Sequence, residues 1–357
     1  MVVLGSTGSI GVNSLEIAKR FNLEIEALSC NKNYKLLNEQ ISKFSPKFVC
    51  IGDKFLKDKV NHNKVFIGEN GLLDMLKECQ SSKVVNALVG FAGLKPSILV
   101  QKLGKTLCLA NKESLVAGGK FLDSKKIKAI DSEHFGLKFL LKDSLKIKKM
   151  IITASGGAFR DTPLGELKNA TPQMALKHPN WKMGSKITID SATMTNKLFE
   201  IMEAYWLYGV KNLDAIIEKS STIHALIDFI DGSTTAHISI ADMKLAISHA
   251  IIDDLNEEIV SNFDLLNLKK MEFQKIDLEK FPIFSLKDEV VKNPDLGTII
   301  NAANEIYVKK FLNNECKFLD NKKIVFESLD KFGSTKITDI DDLFELDFKV
   351  KEFALHI

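Results

Sequence analysis

The chain lacks several features that would place it in common classes of protein. No apolar run in its 357 residues approaches the roughly 20 residues of a membrane-spanning helix. The five cysteines form no CxxC pair and are odd in number, so we expect inert thiols in a reducing compartment. The formal net charge is only +3 and arginine is scarce, which argues against a nucleic acid partner. The chain also begins almost directly on a predicted strand, so we expect no targeting peptide and a cytoplasmic location.

The length and the 45% hydrophobic content allow two or three domains with ample cores. Over residues 1–130, short β-branched runs alternate with amphipathic stretches, a rhythm typical of a doubly wound parallel α/β sheet. The predicted strands are Val2–Leu4, Ile25–Leu28, Phe48–Ile51, Val65–Ile67, Val84–Val89 and Thr106–Leu109.

Residues 131–250 have a different pattern, which predicts an α+β domain with an antiparallel or mixed sheet. Its predicted elements are the strands Lys149–Thr153 and Lys186–Asp190, the helix Thr193–Tyr208, and a hairpin of Ile223–Ile230 and Thr234–Ile240. Residues 251–290 are less regular and are interpreted as a connector. In residues 291–357 the strand signals fade and helical periodicity predicts a small helical domain.

A glycine-rich turn, GSTGSIG at 5–11, follows the first predicted strand. Glycines at this spacing allow the backbone to approach a pyrophosphate at a helix N-terminus, although similar turns also occur as plain structure. After the second strand, where NAD enzymes often carry an acidic residue for the ribose, Lys32 stands between Asn31 and Asn33. An ammonium there suits a 2′-phosphate and predicts NADP; the alternative is a solvated loop lysine.

Two segments supply hard oxygen donors of the kind that Mg²⁺ and Mn²⁺ prefer. Asp131 and Glu133 lie two residues apart in the first. In the second, Asn196, Lys197 and Glu200 share one face of the predicted helix. The carboxylate could hold a metal while the amide and ammonium hold an anion. For this helix alone, an ordinary exposed Lys–Glu pair is the alternative.

Three further segments carry groups suited to a phosphorylated ligand. Residues 153–157 end a predicted strand with a hydroxyl and two glycines, which suits a phosphate cradle; a flexible turn is the alternative. The Pro- and Gly-punctuated stretch 155–185, with Trp181 inside it, predicts a lid, unless the tryptophan is an interface anchor. Residues 111–113 present an amide and two charges after a strand, where a surface turn is the alternative.

Taken together, these segments resemble the 1-deoxy-D-xylulose 5-phosphate reductoisomerase family over essentially the whole chain. The matching motifs are GSTGSIG at 5–11, LANKESLVAGG at 109–119, DSEH at 131–134, ASGGAFR at 154–160, HPNWKMG at 178–184, IDSATMTNK at 189–197 with Glu200, and NAANE at 301–305. The resemblance implies a Rossmann-like NADPH domain, an α+β catalytic domain and a small C-terminal helical domain, assembled as a homodimer.

The resemblance also implies an activity and a set of site residues. The activity is the NADPH-dependent reductive isomerisation of 1-deoxy-D-xylulose 5-phosphate to 2-C-methyl-D-erythritol 4-phosphate, in the non-mevalonate isoprenoid pathway, with Mg²⁺, Mn²⁺ or Co²⁺. The implied metal ligands are Asp131, Glu133 and Glu200. The implied substrate contacts are Lys112, Ser132, Glu133, Ser155, His178, Ser191, Asn196, Lys197 and Glu200. Those with an implied catalytic role are Lys112, Glu133 and His178. The implied cofactor contacts are Gly5, Thr7, Gly8, Ser9, Ile10, Asn31, Lys32, Asn33, Asn111, Glu113 and Gly184.

Three positions depart from the family pattern. Asn31 replaces a common glycine, Phe135 replaces a frequent asparagine, and residues 218–221 read Glu-Lys-Ser-Ser in place of His-Pro-Gln-Ser. The metal set is untouched, so we expect an active enzyme. The alternatives are an NADP-dependent dehydrogenase of another phosphorylated sugar and a redox-sensing nucleotide-binding protein with a vestigial site.

Overall fold

The computed structural model of the chain describes residues 1–141, 145–267 and 270–357. It contains two units, each with its own core. The first comprises residues 1–114, 121–132 and 242–260, and the second comprises residues 115–120, 133–241 and 261–357. Among the described residues, none of the helices combines the length and apolar character that crossing a bilayer requires.

The first unit is built on a seven-stranded parallel sheet. Its strands are β1 (Val2–Leu4), β2 (Ala27–Cys30), β3 (Phe48–Ile51), β4 (Val65–Ile67), β5 (Lys83–Asn86), β6 (Thr106–Leu109) and β7 (Ile127–Ala129). The spatial order is β4-β3-β2-β1-β5-β6-β7, with every pair parallel. Winding reverses between β1 and β5, and ligands bind beyond the carboxyl ends of the strands at such a point. The predicted doubly wound fold is confirmed.

The second unit contains a five-stranded mixed sheet. Its strands are β8 (Ile147–Ala154), β9 (Leu213–Glu218), β10 (Ile223–Phe229), β11 (Thr234–Ile238) and β12 (Phe273–Lys275). The order is β11-β10-β8-β9-β12, and only the central β8–β9 pair is parallel. This agrees with the predicted mixed sheet and with the predicted hairpin, whose turn is the Asp231-Gly232-Ser233 segment.

The α-helices of the described residues follow the chain through both units. They are α1 (Ser9–Arg20), α2 (Tyr34–Phe44), α3 (Gly68–Glu78), α4 (Leu94–Lys102), α5 (Lys112–Gly118), α6 (Ser132–Leu140), α7 (Pro172–Ala175), α8 (Ser185–Ala192), α9 (Thr195–Tyr208), α10 (Met243–Ile251), α11 (Lys287–Lys292), α12 (Leu296–Leu312), α13 (Asp320–Phe332) and α14 (Ile340–Leu355).

The core of the first unit explains its sequence pattern. Strand residues such as Val3, Leu28 and Val49 are fully buried because parallel strands carry helices on both faces. Helix α10 follows strand β11 of the second sheet in the chain, yet its Ile247 and Ile251 are buried in this same core. The first unit is therefore assembled from segments far apart in sequence.

One predicted element is wrong. Residues 186–190 were predicted as a strand, but they form part of helix α8. The β-branched Ile187, Thr188 and Ile189 favour a strand locally, whereas the buried positions extend to Ala192 with helical spacing. The Thr188 hydroxyl donates to the Gly184 carbonyl at 2.8 Å, which stabilises the first turn of the helix.

Strand ends shift by a few residues from the prediction. The second strand begins at Ala27 instead of Ile25. Just before it, the Glu26 carboxylate accepts the backbone N–H groups of Gln80 and Ser81. The fifth strand ends at Asn86, and Val89 beyond it is 70% exposed. The helical character predicted for residues 291–357 is confirmed by α12, α13 and α14. Helix α14 starts in a capping box between Asp339 and Asp342.

Candidate active site

A cavity of about 660 Å³ lies in the first unit, beyond the carboxyl ends of β1, β2 and β5. Its walls are the glycine turn at 5–8, the loop at 29–33 and residues 87–89. This is the point where the winding of the sheet reverses. The topology therefore places the predicted nucleotide-binding turn where a dinucleotide would be expected to bind.

The glycine turn requires glycine at position 5 and is held by hydrogen bonds to neighbouring side chains. Gly5 has φ +76°, and an added Cβ would lie 2.4 Å from the Ala87 carbonyl oxygen. The Gly5 N–H donates to the Ser29 hydroxyl at 3.1 Å. The buried Gln40 amide accepts from the Ser6 hydroxyl at 2.7 Å and donates to the Ser6 carbonyl at 2.8 Å. These contacts hold the turn in shape without a ligand.

Gln40 was not predicted as part of this site. It lies on the buried face of α2 between Leu37 and Ile41, and a polar residue on an apolar helix face was the available signal. Helix α1 starts at Ser9, without a side-chain cap and without an acidic residue in its first turn. Its N-terminus, which includes the predicted contacts Ser9 and Ile10, is therefore suited to an anion.

The loop after β2 presents one cation to the cavity. Of the residues that line it in the described structure, only Lys32 is basic, and it is exposed. Asn33 is used differently, because its side chain accepts the Leu36 N–H at 3.3 Å and caps α2. The Asn31 side chain lies against Gly52, where an added Cβ would be 2.5 Å from its amide oxygen. Lys32 therefore remains the candidate partner for a 2′-phosphate.

Just after β6, the Asn111 side chain forms hydrogen bonds with other residues of the protein. Its side-chain N–H groups donate to the carbonyls of Leu88 at 2.9 Å and Gly90 at 2.8 Å, and to the Glu113 carboxylate at 2.8 Å. It therefore braces the loop at the rim of the cavity. The next residue, Lys112, lies 3.3 Å from the Asp131 carboxylate, so the structure brings together these two predicted site residues of the first unit.

In the second unit, four predicted site residues meet around one buried ammonium. Lys197 donates to the carbonyl of Thr153 at 2.6 Å and to the carboxylate of Glu133 at 3.0 Å, and it forms an ion pair with Glu200. Asn196 donates to the other oxygen of Glu200. Lys197 is only 6% exposed, so these charges interact in a poorly solvated environment. The helix is thus not the ordinary exposed one that was the alternative interpretation.

The predicted phosphate contacts Ser155 and His178 are also paired. His178 Nε2 lies 2.9 Å from the Ser155 hydroxyl, and its Nδ1 accepts the N–H groups of Trp181 at 2.9 Å and Asn180 at 3.2 Å. Because Nδ1 is an acceptor, the proton of the neutral ring lies on Nε2, which donates to Ser155. Burial, followed by the Lys197 and Arg160 cations, lowers the pKa of His178 to about 4.

Ser191 lies beside the Ser155 turn. Gly157 has φ +68°, and an added Cβ would lie 2.5 Å from the Ser191 carbonyl oxygen. A sharp kink at Met194, with φ +62°, then separates α8 from α9. The first turn of helix α9 contains Asn196 and Lys197 and no acidic residue. The N-terminus of this helix is therefore suited to bind an anion.

The remaining predicted contacts lie at helix starts. Ser132 is the first residue of α6, and Gly184 is the N-cap of α8. The buried pair of His134 and Glu203 was not predicted. His134 Nε2 lies 3.2 Å from the Glu203 carboxylate, and the Tyr208 hydroxyl donates to the His134 carbonyl at 2.6 Å. These contacts join α6, which carries Glu133, to α9, which carries Glu200.

Two of the departures have structural explanations. Phe135 packs edge-on against His237, with the ring centroids 5.1 Å apart. The Glu218 carboxylate accepts the backbone N–H groups of Ser220, Thr222 and Ile223, which shapes the turn before β10. Burial, the largest single effect, raises the pKa of Glu218, but the Ser220 hydroxyl and these backbone hydrogen bonds together lower it below its ordinary value. The substituted segment is therefore an ordered turn.

Comparison with known proteins finds matches to one family along nearly the whole chain. Residues 1–119 match a model of 1-deoxy-D-xylulose 5-phosphate reductoisomerase, and residues 127–208 and 238–353 match two models of its C-terminal regions. The reductoisomerase of Campylobacter hominis is 63% identical over 99% of this chain and 98% of its own length. That of Nautilia profundicola is 51% identical, with 99% of each covered.

Solved structures agree as well. A crystal structure of DOX-P reductoisomerase in complex with NADPH, fosmidomycin and magnesium is 31% identical, with a TM-score of 0.93 over 99% of this chain and 97% of that one. The Zymomonas mobilis enzyme in complex with NADPH is 32% identical, with a TM-score of 0.88 and the same coverage.

The doubly wound nucleotide unit and the charged second site thus define an NADP-dependent oxidoreductase of phosphorylated substrates. Within that class, the chain belongs to the 1-deoxy-D-xylulose 5-phosphate reductoisomerase family.

Proposed function

We infer that this chain catalyses the NADPH- and divalent-metal-dependent reductive isomerisation of 1-deoxy-D-xylulose 5-phosphate to 2-C-methyl-D-erythritol 4-phosphate, and we propose which of its residues do so. Membership of the family supports the reaction. The observation that carries the assignment of residues is the buried Lys197, shared between the Glu133 and Glu200 carboxylates.

The metal is proposed to bind Asp131, Glu133 and Glu200. Glu133 and Glu200 meet at Lys197, and Asp131 lies two residues before Glu133 in the chain, so the backbone keeps it within reach. The donor set is all oxygen, which fits Mg²⁺ or Mn²⁺, with Co²⁺ as an alternative. When bound, such an ion would polarise a substrate carbonyl and acidify a hydroxyl.

The substrate phosphate is proposed to bind where hydroxyl, amide and ammonium donors converge. The Ser155–His178 pair, the Ser191 segment packed on Gly157, and the first turn of α9 supply those donors. Phosphate binding remote from the reacting carbons would hold the substrate in a reactive orientation. Ser132, at the start of α6, is proposed to contact the substrate near the carboxylates.

Lys112 is proposed to supply positive charge where negative charge develops on substrate oxygens. Its 3.3 Å contact with Asp131 orients the ammonium. Glu133 would accept or return a proton at the substrate hydroxyl, since it is one of two carboxylates that share the Lys197 charge. NADPH would supply the hydride that reduces the rearranged aldehyde.

The cofactor is proposed to lie in the cavity of the first unit. Its pyrophosphate would bind the turn containing Gly5, Thr7 and Gly8 at the N-terminus of α1. Its 2′-phosphate would bind Lys32. Asn111 and Glu113, which brace the rim, are proposed to lie on the nicotinamide side, and Gly184 is proposed as a further contact.

Residues 155–185 are proposed to act as a lid over the phosphorylated substrate. The segment contacts the turn at 219–221, where the Asn180 amide donates to the Lys219 carbonyl at 2.9 Å and the Ser221 hydroxyl at 2.7 Å. Trp181 lies edge-on to His224, with centroids 6.5 Å apart. A Trp206→Phe variant isolates Trp181 fluorescence, which should change when fosmidomycin is added; an unchanged spectrum at saturation would contradict the lid.

A homodimer and a cytoplasmic location are also proposed. Both edge strands of the second sheet carry exposed apolar residues, Ile238 on β11 and Phe273 on β12, and Leu266 nearby is 96% exposed. Open edges and apolar patches are typical of association surfaces. The described cysteines are all free, which suits a reducing compartment.

Product identification tests the reaction. The protein is incubated with 1-deoxy-D-xylulose 5-phosphate, NADPH and Mg²⁺ or Mn²⁺, and the product is identified by NMR. We expect the branched 2-C-methyl-D-erythritol 4-phosphate. An unbranched reduced sugar phosphate would instead indicate a simple dehydrogenase, and absence of NADPH oxidation would indicate a binding protein.

A further inference from the structure

The NAANE motif at 301–305 contributes no residue to the proposed site, yet it contains two fully buried asparagines on α12. One of them, Asn304, donates from its side chain to the Asp190 carboxylate at 2.7 Å. Its amide oxygen accepts from the Asn321 side chain of α13 at 3.3 Å. A chain of hydrogen bonds therefore runs from the C-terminal helices to α8.

Asp190 is oriented by two contacts, one from another helix and one from its own helix. One carboxylate oxygen accepts from Asn304, and the other forms an ion pair with Lys186 at 2.7 Å, one turn earlier on α8. The carboxylate is 2% exposed. A buried charge with directed partners has little freedom to rotate, because each lost hydrogen bond leaves a desolvated group unsatisfied.

Asp190 is followed directly by Ser191, a proposed phosphate contact. The backbone of Ser191 is in turn packed on Gly157, whose turn begins at Ser155. A small rotation of α8 at Asp190 would therefore displace two hydroxyls of the phosphate site together. A misplacement of about 1 Å in a binding group is enough to cost a large part of its contribution.

We propose that Asn304 is a positioning residue, which fixes Asp190 and thereby sets the Ser191 and Ser155 hydroxyls for the phosphate of the substrate. The inference rests on the proposed function, since it assigns a phosphate to that site. It explains why a polar pair joins α12 to α8 where an apolar contact would hold the helices together equally well. A hydrogen bond between side chains adds direction to the packing.

The test is a double-mutant cycle between Asn304→Leu and Ser191→Ala. Leucine has a similar volume but donates nothing to Asp190. We expect Asn304→Leu to raise the KM for 1-deoxy-D-xylulose 5-phosphate by about tenfold, as for loss of one charge-assisted hydrogen bond, and to change kcat much less. The Kd for NADPH, measured by fluorescence, should not change. In the Ser191→Ala background the same substitution should raise KM by less than about threefold, because coupled sites are not additive.

A merely structural role would give a different result. The matched control is Ser328→Ala, which removes a fully buried hydroxyl on α13. Among the described residues, this hydroxyl bonds only along its own helix, to the Ile324 carbonyl at 2.8 Å. We expect it to lower the melting temperature and leave KM unchanged. An unchanged KM in Asn304→Leu, an equal increase in both Ser191 backgrounds, or a parallel loss of NADPH affinity would overturn the proposal.

If Asn304→Leu does not fold, Asn321→Ala decides the question. This substitution removes the 3.3 Å hydrogen bond that the Asn321 side chain donates to Asn304. We expect the KM for the substrate to rise about threefold with an unchanged affinity for NADPH, and no rise would overturn the proposal. Fosmidomycin titration of the same variants separates the two hypotheses. Absence of product with the unmodified protein would refute the proposed function, whereas equal fosmidomycin affinity of variant and unmodified protein would refute only the role of Asn304.

Discussion

The cavity of the first unit and the proposed phosphate site of the second offer an anion different kinds of groups. In the cavity the main groups are backbone N–H groups of a glycine turn, supported by the neutral side chains of Ser29 and Gln40. At the proposed phosphate site they are buried charged groups and the half-buried His178 imidazole, with Lys197 shared by two carboxylates. Backbone geometry therefore organises the cavity, whereas interactions between charged side chains organise the second site.

The difference bears on what each site must do when a ligand arrives. The glycine turn is already held by hydrogen bonds to the neutral side chains of Ser29 and Gln40. We therefore expect these hydrogen bonds to persist when a ligand binds, so that the cavity is preformed. At the second site, the Glu133 and Glu200 carboxylates share the single ammonium of Lys197, whose charge offsets only one of their two negative charges. We expect changes of charge to matter most in the second site and changes of backbone freedom to matter most in the first.

Glu200→Gln should have the largest effect. It removes one of the two carboxylates that share Lys197 and a proposed metal ligand. Loss of an outer-shell partner alone typically costs about 10- to 100-fold in activity, so turnover should fall by about 100-fold or more while NADPH affinity is kept. Steady-state kinetics across a Mn²⁺ titration check this. Glu352→Gln, at an exposed carboxylate of the same unit, is the control. Full turnover of the unmodified protein in excess chelator would contradict the metal requirement, and full turnover of Glu200→Gln would contradict the role of this residue.

Gly5→Ala should come next and act on the other site. The added Cβ would lie 2.4 Å from the Ala87 carbonyl at a φ of +76°, so the turn must move. Strain of about 1–3 kcal/mol is typical of such a backbone, and NADPH should bind at least about tenfold more weakly. Gly104→Ala is the control, since this glycine also has a positive φ, +69°, but nothing lies within 4 Å of its added Cβ. Isothermal titration should show unchanged fosmidomycin binding; loss of both ligands would erase the distinction between the sites.

Lys32→Glu should have a smaller effect, confined to the choice of cofactor. A charge-assisted contact is worth roughly 1.5–3 kcal/mol, so the preference for NADPH over NADH should shrink by about 10- to 100-fold. The ratio of kcat/KM values for the two cofactors measures it. Lys43→Glu, exposed in the last turn of α2, should leave the ratio unchanged. Equal use of both cofactors by the unmodified protein would refute the role of Lys32.

His178 should give the smallest effect, visible in acid. Burial and the nearby cations lower its pKa from 6.5 to about 4. A group with a lowered pKa in the folded state stabilises the protein above its ordinary pKa, and that stabilisation is lost as the pH falls from about 6.5 towards 4. The free energy of unfolding of the unmodified protein should therefore fall relative to His178→Gln over this range, with a slope below one proton. A constant difference in urea titrations would show that His178 is not held neutral.

Much of the fold followed from local patterns. The β-branched runs at Phe48–Ile51, Val65–Ile67 and Thr106–Leu109 form strands with the predicted bounds, because a buried parallel strand needs a short apolar run and little else. Where β-branched residues occur in a helix, as at 186–190, the same rule predicted the wrong element. Local propensity there is outweighed by the packing of Ile189 and Ala192.

The sequence by itself determined the family, the doubly wound domain and the identity of most candidate site residues, because motifs and periodicity are properties of neighbouring residues. Only the tertiary structure decided which polar groups meet. Ser6 and Gln40 are 34 positions apart, His134 and Glu203 are 69 apart, and Asp190 and Asn304 are 114 apart. Hydrogen bonds act over about 3 Å and depend on direction, so such pairs exist only after helices and strands have packed, and no local pattern encodes them.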